Sequence, residues 1–69
     1  MKTFSIQLKK ARLKNNMTQK EAASALGISL VTYQHYEALG SGRRTPRPAM
    51  ILKIAELFEV DTDFLFGKR

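Results

Sequence analysis

The stretch "TQKEAASALGISLVTYQHYE", Thr18–Glu37, contains two helix starts and one helix stop. "TQKE" is a capping box, in which the Thr18 side chain takes the N–H of Glu21 and the Glu21 carboxylate reaches back to Thr18. Ala22, Ala23 and Leu26 follow on one face of the helix so begun. Gly27 suits the left-handed conformation that ends a helix. Ser29 is the next cap, and Ile28 before it can staple to Tyr33 four positions into the new helix. Two helices separated only by "GIS" are joined too tightly to lie antiparallel. A sharp crossing is expected, which is the geometry of a helix-turn-helix.

Upstream, a first helix from about Thr3 to Asn15 carries Phe4, Leu8 and Ala11 at helical spacing, and "NNM" breaks it. Downstream, the third helix is expected to reach about Leu39, followed by the basic connection "GSGRRTPRP". Pro48 fits the first turn of a fourth helix, where its missing N–H costs nothing. In "AMILKIAELF", Ile51, Leu52, Ile54, Ala55 and Phe58 are expected to form the covered side. Asp61 caps a final turn, "TDFLF". No strand pattern, internal repeat or second domain is visible. The expectation is an all-α fold, a compact five-helix bundle with residues 1–69 as one domain.

The chain is 69 residues long, with net charge +6 and no cysteine. Residues 1–47 hold nine Lys/Arg against Glu21 and Glu37, whereas residues 48–67 hold Lys53 against Glu56, Glu59, Asp61 and Asp63. A basic first two-thirds points to a polyanion partner such as nucleic acid, or else to an ordinary solvated basic surface. The absence of cysteine suits a reducing cytoplasm. No signal peptide and no run of membrane-spanning length is present, so no membrane association is expected.

On a helical wheel Tyr33, Tyr36 and Glu37 cluster on one side of the third helix. Val31, Gln34, His35 and Ala38 cluster on the other, flanked by Leu30 and Thr32. The tyrosine side is the better core face, because aromatic rings bring the larger burial. The opposite face would be uncharged and small, a shape that the major groove of DNA admits.

These residues, with "LKKARLKNNMTQKEAASALGISLVTYQHYE" continuing to Pro46 and "LKIAELFEVDTDFL", resemble the phage repressor and Cro type of helix-turn-helix proteins, the XRE family. The joint spacing of Gln19 after Thr18, then Ala23, Gly27 and Glu37, carries the resemblance. Members of that family are well-known examples of helix-turn-helix docking. The resemblance implies a lambda repressor-like domain that binds a palindromic double-stranded DNA operator as a homodimer. It also implies a bacterial or phage-encoded, nucleoid-associated protein of the cytoplasm and a role in transcription, as a repressor. Ser29, Leu30, Val31, Thr32, Gln34 and His35 would stand where relatives contact bases. Thr18, Gln19 and Lys20 would lie against phosphates at the start of the second helix; the lesser alternative for Gln19 is a solvated first-turn residue. Arg12 and Glu37 occupy positions that form an ion pair in relatives, which would account for a carboxylate on the aromatic side.

Two departures from the family pattern stand out. The connection between Glu37 and Pro46 is longer than usual, and Arg43, Arg44 and Arg47 could follow the phosphate backbone from it. Leu30 and Val31 replace polar residues, and apolar side chains cannot donate to a base edge. They can pack on the thymine methyl, while Gln34 and His35 supply hydrogen bonds; the alternative for Leu30 is to fold back beside Tyr33. Phe64 and Phe66 are read as a homodimer seam. On a different reading they join the acidic last helices in holding a small protein partner, as in an antitoxin. An enzyme is not expected, because no nucleophile–base pair, glycine-rich phosphate loop or metal cluster is present. Asp61 and Asp63 suit a helix start, and His35, the only histidine, has no ligand set around it, so neither a metal nor a cofactor is expected.

Overall fold

The computed structural model describes residues 2–40 and 44–68. Five helices follow one another: α1 (Lys2–Lys14), α2 (Gln19–Leu26), α3 (Leu30–Glu37), α4 (Pro48–Phe58) and α5 (Thr62–Leu65). No strand occurs among the described residues. α1 packs on α3 and α5, α2 packs on α3 and α4, and α4 closes on α5. The buried core is built from Phe4, Leu8 and Ala11 of α1, Ala22, Ala23 and Leu26 of α2, and Tyr33 of α3, completed by Ile51, Ile54, Ala55, Phe58 and Leu65. No helix among the described residues is long and apolar enough to cross a membrane.

The helix starts follow the sequence signals. Thr18 Oγ1 accepts from the N–H of Glu21 at 3.0 Å and the Glu21 carboxylate accepts from the N–H of Thr18 at 2.8 Å, which completes the capping box. Ser29 caps α3 through the N–H of Thr32, and Asp61 caps α5 through the N–H of Phe64. The stops of α1, α2, α4 and α5 share one design. Asn16, Gly27, Glu59 and Gly67 each have positive φ, and each is followed by a residue whose N–H turns back five positions, as in Met17 to the carbonyl of Arg12 and Ile28 to that of Ala23. Glycine takes this conformation freely. Glu59, with φ 55°, carries a Cβ that makes it costly. Glu59→Gly is therefore expected to raise stability by about 0.5–1 kcal/mol. The readout is a higher urea midpoint at unchanged slope, and a lower midpoint would refute the account.

Two expectations are corrected. Leu52 does not join the covered side of α4 and remains 58 % exposed. Ile51, Ile54, Ala55 and Phe58 already fill one stripe at the i, i+3, i+4, i+7 spacing, which turns the intervening Leu52 towards solvent. The third helix ends at Glu37 rather than Leu39, with Ala38 in extended conformation at ψ 141°. The reason is competition for its last carbonyls. A longer helix would pair the carbonyl of His35 with Leu39, but Arg44 donates to it at 2.9 Å. It would also pair the carbonyl of Tyr36 with Gly40, but the buried Ser5 hydroxyl of α1 takes that place at 2.8 Å.

The Ser5 contact belongs to a general pattern in which side chains of one helix occupy the C-terminal carbonyls of another. Gln7 donates to the carbonyl of Phe64 at 3.0 Å, and Lys53 donates to that of Leu26 at 3.2 Å. Asn15 donates both to Ala11 within α1 and to Phe58 at the end of α4. Orphan carbonyls at helix ends need such partners when water is excluded, and these side chains supply them.

Candidate nucleic-acid interface

The polar centre of the molecule lies where α1, α2 and α3 converge. Arg12 is buried and grips the Glu37 carboxylate with two nitrogens, Nε at 2.8 Å and Nη2 at 3.2 Å. Its third nitrogen donates to the carbonyl of Met17 at 2.9 Å. The side chains are 9 % and 4 % exposed respectively. The Tyr33 hydroxyl and Gln19 Nε2 also donate to Glu37, the latter at 3.2 Å. No buried side-chain nitrogen or oxygen among the described residues lacks a partner. The bidentate geometry is the strong form of the guanidinium–carboxylate contact, and it raises the Arg12 guanidinium above its ordinary value.

Burial, followed by the Glu37 contact, pushes the Tyr33 phenol well above its usual value near 10. Below pH ~10 both folded and unfolded chains keep that proton, and the stabilisation is complete. Above it the unfolded chain ionises first, so stability falls with pH by up to about 1.4 kcal/mol per unit. Urea midpoints taken at pH 9, 10 and 11 are expected to drop, and to drop less steeply in Tyr33→Phe, which has no proton to lose. Equal slopes would sink this assignment.

From the buried centre the hydrogen bonds lead outward. Gln34 Nε2 donates to Gln19 Oε1 at 3.3 Å, which joins the exposed face of α3 to the start of α2. A groove of about 590 Å³ there brings together Thr18, Gln19, Lys20, Leu30 and Gln34, with Leu13 and Met17 at its wall. The free N–H groups at the start of α2 open beside it, an arrangement that favours an anion.

Val31, which follows the groove-lining Leu30 in the chain, is 61 % exposed, while Leu30 is 38 % exposed and lies outside the buried core, so it does not fold back beside Tyr33. Tyr33 itself is fully buried, with the Tyr36 ring edge-on at 6.4 Å. Ser29 donates its hydroxyl to Thr32 Oγ1 at 2.9 Å while accepting from the Thr32 N–H, so both groups of Ser29 serve the helix start. His35 is half-buried. Arg44 and Arg47 are exposed on the connection to α4, and Arg43 lies outside the described residues. Phe66 packs against Phe4 with ring centres 5.5 Å apart, and Phe64 is half-buried against the core.

Sequence reasoning found Arg12 and Glu37 but missed the other two donors to that carboxylate. The Tyr33 contact had a legible signal, since residues four apart share a helix face. The Gln19 contact had none, because it depends on how α2 crosses α3. A second groove, of about 780 Å³, lies on the far side of Gln19 and Gln34. Ile6, Leu13 and Leu39, all exposed, line it together with Lys9 and Lys10. The wheel on α3 gave no sign of this groove, since most of its wall belongs to α1.

Comparison with known proteins agrees with the helix-turn-helix fold. Residues 8–65 match the family model described as "Helix-turn-helix". The chain is similar to the HTH-type transcriptional regulator ImmR of Bacillus subtilis (42 % identity over 62 residues, 90 % of this chain and 46 % of that protein). It is also similar to the cryptic phage CTXphi transcriptional repressor RstR of Vibrio cholerae (40 % identity, 77 % of this chain and 45 % of the relative). The uncharacterized HTH-type transcriptional regulator YqaE of Bacillus subtilis is 36 % identical over 90 % of this chain and 51 % of its own length. The chain thus spans about half the length of these relatives. No solved structure matches significantly. With the capped helix pair, the left-handed Gly27 turn and the family match covering residues 8–65, the chain belongs to the XRE-type helix-turn-helix family.

Proposed function

We propose that this chain is a sequence-specific DNA-binding regulator of transcription, a repressor, that binds a two-fold symmetric operator as a homodimer. The observation that carries the reading is the groove shared by the capped start of α2 and the outer face of α3. It puts anion-favouring N–H groups beside an uncharged helix surface narrow enough for the major groove. The similarity to ImmR, a transcriptional regulator, and to RstR, a transcriptional repressor, supports the same reading.

In this reading α3 enters the major groove, with Ser29, Leu30, Val31, Thr32, Gln34 and His35 at the base edges. Thr18, Gln19, Lys20, Arg43, Arg44 and Arg47 lie along the phosphates. The exposure of Val31 suits contact with a thymine methyl, which no hydrogen-bonding residue is needed to recognise. Phe64 and Phe66 form the seam between two copies and keep half-sites about one helical turn apart.

Selection from a pool of random duplexes at moderate salt tests the proposal. The expected result is a palindrome with thymines facing the first turn of α3. Log affinity should fall with log salt by ~0.9 for each phosphate neutralised, and Arg44→Ala should lower that slope by about one unit without changing the enriched sequence. Retention with the same salt slope but no enriched sequence would refute base reading by α3.

A further inference from the structure

We propose that Glu37 is a positioning residue for recognition: through Gln19 it fixes which way round the Gln34 amide faces the DNA. The inference rests on the base-reading role proposed for α3 and adds to it the source of one discrimination.

An amide has an oxygen end and a nitrogen end of nearly equal size, and only its neighbours can decide which end points where. The Glu37 carboxylate, held in the Arg12 fork, only accepts hydrogen bonds. Gln19 must therefore turn its Nε2 inward to Glu37, at 3.2 Å, and its Oε1 outward. Gln34 must in turn direct its own Nε2 to that oxygen, at 3.3 Å. The three residues form one directed chain, Gln34 to Gln19 to Glu37, anchored at a buried ion pair. Turning Gln19 over would set its oxygen against the carboxylate, and turning Gln34 alone would set two amide oxygens face to face.

The exposed end of this chain has one defined presentation. Gln34 keeps its nitrogen on the α2 side and its oxygen on the side away from α2, with Oε1 and one N–H still uncommitted. Adenine offers an N6 donor and an N7 acceptor in the major groove. An amide of fixed sense meets those two groups in one order only, so it separates A·T from T·A at its base pair. An amide free to turn accepts either.

The test compares the native chain with Glu37→Gln and Gln19→Met in the same duplex selection. The base pair facing Gln34 is located as the one whose preference is lost in Gln34→Ala. For the native chain we expect A·T to exceed T·A, or the reverse, by about tenfold there, within the range of a bidentate base contact. The ratio is expected to fall to about one in Glu37→Gln, whose amide can present either end to Gln19.

Because Glu37→Gln also removes the Arg12 ion pair, Gln19→Met is the control for folding. It leaves Arg12, Tyr33 and Glu37 paired and cuts only the middle link. A lost phosphate contact from Gln19 lowers affinity evenly for all sequences, whereas a lost relay lowers the ratio at one base pair. A ratio unchanged in Gln19→Met overturns the proposal.

A readout without DNA separates it from the reading on which it rests. In the free protein the side-chain NH₂ resonances of Gln34 should shift on Glu37→Gln, although the two side chains share no direct hydrogen bond. If those signals stay in place, the relay is refuted even where DNA is read. If they shift while the native chain enriches no sequence, DNA reading falls and the relay within the protein stands.

Discussion

Arg12→Met is expected to cost about 3–5 kcal/mol of folding stability, the usual penalty for removing one partner of a buried ion pair. The substitution keeps the bulk of the side chain but leaves a carboxylate that is 4 % exposed without its cation. Two hydrogen-bond donors, Tyr33 and Gln19, would still reach it. Neither brings a charge. A domain of this length is expected to have roughly 3–10 kcal/mol in total, so the variant should sit near the edge of unfolding at 37 °C. Replacing both members, Arg12→Met with Glu37→Met, should recover most of the loss, because an apolar pair no longer has to be desolvated as ions. Urea titration of the native chain, the two single variants and the double variant measures the coupling directly. If the two single losses simply add in the double variant, the pair is not coupled and the account of this centre is wrong.

The second large effect lies in α4. Ile54→Ala should cost about 2–5 kcal/mol, since the side chain is fully buried and its removal leaves a cavity in the core. Leu52→Ala, two positions earlier and of almost the same size, should change stability by less than about 0.5 kcal/mol. The contrast follows from which face of α4 meets α2 and α5. Thermal or urea unfolding of the two variants decides it, and equal losses would mean that α4 is turned the wrong way.

Leu52 shows where sequence periodicity stops being informative. In "AMILKIAELF" the apolar residues surround much of the helix, and the pattern alone admits more than one buried stripe. Packing chose the stripe of Ile51, Ile54, Ala55 and Phe58, because α2 and α5 approach α4 from that side. The end of α3 is a similar case. Nothing in "HYEAL" stops a helix, yet Ser5 and Arg44 take the carbonyls that two more residues would have used. Signals that act within a few residues behaved differently. The Thr18 box, the Ser29 and Asp61 caps and the Gly27 turn all appear as their local chemistry requires.

The candidate interface divides along the same line. That α3 has an aromatic inner side was readable from its wheel, and Tyr33 is fully buried. The exposure of Val31 was readable too, since Val31 lies opposite Tyr33 and Tyr36. The fate of Leu30 was not, because a residue on the flank of a helix is buried or exposed according to the neighbouring helix.

By itself the sequence determined where helices begin, where most of them end and which residues form the first half of the core, because caps, left-handed turns and periodic apolar spacing act over one or two turns of chain. Only the tertiary structure decided that Gln19 joins Arg12 on the Glu37 carboxylate, that Gln34 is tied to that centre, and that side chains of one helix close the carbonyl ends of another. Those contacts span 15 to 31 residues and depend on crossing angles, which are set by the packing of all five helices together rather than by any one segment.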